Sequence, residues 1–143
     1  MEELYFLGQL LFAVLLGAVV GWQRGNRGKA AGPRTYALVT AGAALFTILS
    51  LTAFSFNENS RVASQIVTGI GFLGAGIIFR RENHIEGLTT AAGLWMAAAV
   101  GMAVGARYFV LAGGATVMMF VLLAVNDRKF RKNHAVANNG SDQ

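Results

Sequence analysis

Five uncharged apolar stretches, each long enough to cross a bilayer, lie between Leu4 and Val125. A hydrocarbon core about 30 Å thick needs some 20 residues at 1.5 Å rise each. The candidate spans are Leu4–Trp22, Tyr36–Phe56, Val62–Phe79, Leu88–Gly105 and Tyr108–Val125, and none holds Asp, Glu, Lys or Arg. The expected fold is an all-α integral membrane protein, a five-span transmembrane helix bundle filling residues 1–126. Residues 127–143 are read as a basic, disordered cytoplasmic tail, and 143 residues leave no room for a second domain. The chain is 55% hydrophobic and 13% charged, against about a quarter charged in soluble domains. A large soluble helical core is therefore the poorer reading.

The cations follow the same segmentation. The first connection carries Arg24, Arg27, Lys29 and Arg34, the third Arg80 and Arg81, and the tail Arg128, Lys129, Arg131 and Lys132. Only Arg61 and Arg107 fall in the second and fourth connections. By the positive-inside rule this split predicts an outside N-terminus and a cytoplasmic C-terminus. Because these cations flank apolar spans, the +5 formal charge points to anionic lipid rather than nucleic acid. Met1-Glu2-Glu3 is acidic, unlike the basic start of a secretory signal, so the first span is expected to be retained. Ser60 is a candidate N-cap for the third span after the polar Asn57-Glu58-Asn59 turn. Ala106-Arg107 leaves almost no loop, which predicts a tight antiparallel hairpin between the last two spans.

Glycine is concentrated in the spans. Gly17 and Gly21, and Gly101 and Gly105, form GxxxG pairs, and the third span carries Gly69, Gly71, Gly74 and Gly76. Small residues allow close helix–helix approach in lipid, so these eight glycines are candidate packing positions within the chain and across a homo-oligomer, a dimer. Positions 69–74 also satisfy G-x-G-x-x-G, but dinucleotide binding requires a preceding strand and a phosphate-facing loop. A flexible, pathway-lining third span is the other reading of this run.

Polar groups inside the spans are few. Gln9 and Gln65 are at similar expected depths, where they could hydrogen-bond each other or form a polar vestibule. Thr40, Thr47, Ser50 and Thr68 can bond to the preceding turn. Trp95 is too deep for an interfacial anchor and is expected to pack on the glycine surface of the third span. Arg24, Arg34, Arg80 and Arg81, with Thr89 and Thr90, form a candidate contact set for an anion or lipid headgroup, or simply set topology. Arg34, Gln65 and Trp95 are expected to matter more for activity than for insertion.

Several function classes are disfavoured. Without cysteine there is no disulfide, thiolate metal site or cysteine nucleophile. His84 and His134 lie in a loop and the tail, with no nucleophile and base at recognisable spacing, so no catalytic residue and no cofactor is assigned. Mg²⁺ demands oxygen ligands, yet Glu2, Glu3, Glu58, Glu82, Glu86, Asp127 and Asp142 all lie outside the spans. No metal site is expected.

The blocks Gly21-Trp22-Gln23-Arg24, Gly32-Pro33-Arg34-Thr35-Tyr36-Ala37-Leu38-Val39, Gly42-Ala43-Ala44-Leu45-Phe46, Arg61 through Gly76 and Gly87 through Trp95 resemble the bacterial MgtC/SapB membrane-protein family over most of the chain. The resemblance implies a five-span inner-membrane protein linked to adaptation to low magnesium and survival inside host cells. In some members a soluble cytoplasmic domain follows, which this chain ends too soon to contain. It also implies a possible partner in another membrane complex such as the F-type ATP synthase, on which one member acts, while other members are labelled transporters. Gln23 stands where the family usually has Glu and Pro33 where it usually has Leu, which weakens any proton or cation role at position 23. Two functions follow as expectations: a regulatory subunit acting through glycine-rich helix faces, or a small dimeric channel or carrier for an anion or Mg²⁺.

Overall fold

The computed structural model describes residues 2–53, 59–81 and 84–125. Along them run α1 (Glu2–Gly25), α2 (Pro33–Ala53), α3 (Asn59–Ala75), β1 (Phe79–Arg81), β2 (His84–Glu86), α4 (Leu88–Gly105) and α5 (Phe109–Ala124). The expected tail lies outside the described residues, as do Asn57 and Glu58 of the expected turn. Ser60 is the second residue of α3 rather than its cap.

The expected five-span bundle is not what forms. Only α1, α2 and α4 among the described helices are long and apolar enough to cross a membrane. α3 has 17 residues and α5 has 16, and at 1.5 Å per residue both fall short of a core about 30 Å thick. The apolar run outlasts the helix in each case. Beyond Ala75, the Ile77 and Ile78 N–H groups turn back to the Gly74 and Ala75 carbonyls, and Phe79 already belongs to β1. Tyr108 precedes α5 with φ −86° and ψ 63°, and Val125 after it is extended. Nor does the fold carry the expected orientation, since it fixes which helix ends lie together and not which side of a membrane they face.

Alpha2 is the centre of the assembly, packing most extensively on α1 and α4, while α3 packs mainly on α4. Missing side chains make this possible. A Cβ at Gly17 would lie 2.6 Å from the Tyr36 carbonyl oxygen, one at Gly21 2.5 Å from the Pro33 Cα, and one at Gly105 2.6 Å from the Ala44 carbonyl oxygen. At Gly101 it would collide with the Thr40 carbonyl. Both GxxxG pairs therefore face α2. The threonines of this region satisfy themselves locally, Thr40 donating to the Tyr36 carbonyl and Thr47 to that of Ala43.

Two connections have defined chemistry. In the α4–α5 hairpin the Arg107 and Tyr108 N–H groups donate to the Val104 and Ala103 carbonyls, the Schellman pattern. Arg107 takes the left-handed position, φ 69°, with its guanidinium carbon 5.1 Å from the Tyr5 ring centroid. The α3–α4 connection is an antiparallel hairpin pairing Phe79 with Glu86, Arg80 with Ile85 and Arg81 with His84. It ends in Gly87, whose φ of 87° and contact with the Ile77 carbonyl exclude any Cβ.

Candidate functional site

Close approach of α1 to α2 determines what happens one turn later. Because Gly21 lets Gly32 and Pro33 lie against α1, Arg24 is carried inside the bundle end, where it is 2% exposed. Its Nη2 donates to the Thr90 Oγ1 of α4 at 2.9 Å. Tyr36, in the first turn of α2, is fully buried, and the Arg24 guanidinium is close enough to act on its hydroxyl. Gly93, one turn beyond Thr90, makes room for that hydroxyl, which any Cβ at this position would strike.

The cluster is under-satisfied. Among the described residues neither the Arg24 Nε nor the Tyr36 hydroxyl has a hydrogen-bond partner. A buried guanidinium left in this state forgoes several kcal/mol of solvation, and each unmade bond costs about 1–3 kcal/mol more. Chemically, Arg24, Tyr36 and Thr90 present convergent donors suited to an anionic oxygen, a carboxylate or phosphate. The fixed charge of Arg24 among them disfavours a cation. Among the described residues no group of three His, Asp or Glu could hold a metal.

Alongside it, the last turn of α1 and the turn that follows it grip α5. Gln23 Nε2 donates to the Phe120 carbonyl at 3.1 Å and Arg27 Nη1 to the Leu123 carbonyl. The Leu123 carbonyl is in the last turn of α5 and has no intrahelical donor, and the Arg27 cation there also meets the negative end of the dipole.

The other expected site residues disperse. Arg34 and Thr89 are exposed in the first turns of α2 and α4, Arg80 is exposed on β1, and Arg81 sits on the same strand. Only Arg24 and Thr90 of the six are joined. Gln9 is buried at the opposite end, donating to the Val104 carbonyl at 2.9 Å, so it does not pair with Gln65, which is exposed on α3 beside α2. Trp95 is 51% exposed. It does not cover the α3 glycines, since a Cβ at Gly69 or Gly71 would meet nothing within 4 Å. Gly74 instead approaches Ala91 of α4, and Gly76 the Leu73 carbonyl. Tyr36, Gly93, Gln23 and Arg27 were not anticipated as site residues. The available signals were the Tyr36 hydroxyl in an otherwise apolar run and the i, i+3 spacing of Thr90 and Gly93.

A basic-ended bundle of apolar helices with a buried arginine defines a multi-pass membrane protein. The chain belongs to the MgtC family, which matches residues 10–131, and so to a group of multi-pass inner-membrane proteins. It is 46% identical over 114 residues to "Protein MgtC" of Salmonella typhimurium (strain LT2), covering 80% of this chain and 49% of that one. To "Protein MgtC" of Brucella abortus (strain 2308) it is 48% identical over 114 residues, covering 80% and 47%. To "Putative magnesium transporter YhiD" of Escherichia coli (strain K12) it is 41% identical over 128 residues, covering 84% and 60%. The chain thus spans about half to three-fifths of the length of these relatives. No solved structure matches.

Proposed function

We propose that this protein serves adaptation to magnesium limitation as an interaction subunit of the inner membrane, associating through α3 with a second copy or another membrane complex. Family membership and the names of the relatives supply the magnesium link. The observation that carries the interaction role is the outer face of α3, where Ser64, Thr68 and Gly71 follow one another at helical spacing, all exposed. Both GxxxG pairs are consumed against α2, so close association with a further helix falls to this small-residue face, the kind that packs best in lipid. Phe72 beside it is 81% exposed. The basic end, with Arg34 and Arg80 exposed around the buried Arg24, supplies contacts for anionic headgroups.

Growth of a deletion strain in low magnesium tests the reading. Gly71→Leu and Ser64→Leu should reach the membrane in normal amounts and fail to restore growth, with loss of the cross-linked oligomer or complex. Full complementation by both overturns it. Ion flux through liposomes holding only the purified protein would replace it with a channel or carrier.

A further inference from the structure

Alpha3 leaves a gap beside the central helix. Between α2 and α3 runs a groove of about 630 Å³, floored by Ala98 of α4. Its walls are apolar, with Leu38, Gly42 and Phe46 from α2 and Ile66, Gly69 and Leu73 from α3. Gly42 and Gly69 keep it hollow, since a Cβ at either would meet nothing within 4 Å. Two polar residues enter the lining, Arg61 and Gln65. Four residues apart, they share one face of α3, and both lie near its N-terminus.

The groove is therefore polar at one end and hydrocarbon along the rest. From Arg61 to Leu73 it extends about 18 Å at helical rise, close to the ~15 Å depth of one leaflet of a 30 Å core. A packed helix, about 10 Å across, would call for small residues along the whole length, where Leu38, Phe46 and Leu73 stand instead. An aqueous path would call for polar walls. A single chain with a negative headgroup matches both the length and the charge.

We infer that the α2–α3 groove is a binding site for one anionic phospholipid, with an acyl chain lying across Gly42 and Gly69 and the phosphate held by the Arg61 guanidinium and the Gln65 amide. This site is separate from the Ser64–Thr68–Gly71 face, because Gly69 and Gly71 point to different sides of α3.

Nanodiscs of equal phosphatidylglycerol and phosphatidylethanolamine supply the probe, and native mass spectrometry of the released full-length chain counts what it retains. The wild type should keep one phospholipid per protomer, enriched in phosphatidylglycerol. Arg61→Ala should lower that enrichment about fivefold, the effect of one interfacial cation, whereas Arg107→Ala, outside the groove at the same end, should not change it. Gly69→Phe and Gly42→Phe fill the groove from opposite walls, and whichever retains wild-type helicity and elution volume should lose lipid of either headgroup. Three results overturn the site: a lipid-free wild type, undiminished phosphatidylglycerol enrichment in Arg61→Ala, or disulfide cross-linking between copies through Gly42→Cys, which would mean that a second chain occupies the groove.

Discussion

Two glycines of one helix should answer the same substitution with opposite signs. At Gly17 an added Cβ would stand 2.6 Å from both the Tyr36 carbonyl oxygen and the Thr40 Oγ1, and 2.9 Å from the Ala37 Cα. Two of these three atoms are backbone, and the third is tied by its own hydrogen bond to Tyr36, so none can swing aside. Alpha1 and α2 must separate by roughly 0.5–1 Å, and overpacking of that kind costs about 1–3 kcal/mol. The helix gains about 1 kcal/mol by exchanging Gly for Ala, leaving Gly17→Ala less stable by up to about 2 kcal/mol. Gly8 has open space around it, so Gly8→Ala keeps only the gain. Equilibrium unfolding in mixed detergent and dodecyl sulfate, followed by far-UV circular dichroism, should separate the variants by the overpacking cost, about 1–3 kcal/mol. Equal stabilities, or a more stable Gly17→Ala, would refute the close approach of α1 to α2.

Arg24→Met should fold with stability within about 1–2 kcal/mol of wild type, because a well-packed apolar side chain often replaces a buried charge without loss, yet it should fail to support growth in low magnesium. If it complements fully, the buried arginine has no functional role. Gln9→Leu should change stability by no more than about 1.7 kcal/mol, the ceiling for such bonds in membranes, since its Oε1 is already unpartnered. The same unfolding titration checks it. Arg107→Gly should be neutral or stabilising by up to about 1.5 kcal/mol, as relief of a left-handed L-residue, worth about 1–2 kcal/mol, offsets or outweighs an exposed cation–π contact of about 0.5–1 kcal/mol. A marked loss of stability would mean that the Tyr5 contact dominates.

The long helices α1, α2 and α4 were legible because uncharged length is a direct record of bilayer thickness. The α4–α5 hairpin was legible because Ala106-Arg107 leaves no chain for a loop. Alpha3 was misread for the same reason that α1 was not. Apolarity continues through Ile77, Ile78 and Phe79, but hydropathy does not register that the backbone has already left the helix for a hairpin. The Gln9–Gln65 pairing failed because depth along a helix says nothing of which side of it a residue faces. Similarly, the basic residues looked like one cluster when only their position along the chain was considered. Burial separates them, since Arg24 follows Gly21 by one turn on the face that meets α2 while Arg34 points away from it.

That separation bears on how the bundle end works. Three residues at the end of α1 and in the turn after it reach two other helices: Gln23 and Arg27 hold the Phe120 and Leu123 carbonyls of α5, and Arg24 holds Thr90 of α4. Alpha5 is short, and its C-terminal turn is secured by side chains of a helix far away in sequence. Any anionic oxygen that completed the unmade bonds of Arg24 and Tyr36 would compete for the guanidinium that now holds Thr90. The orphaned donors are thus an energetic deficit located where three helices meet, and strain of this kind persists in a fold when something other than stability maintains it.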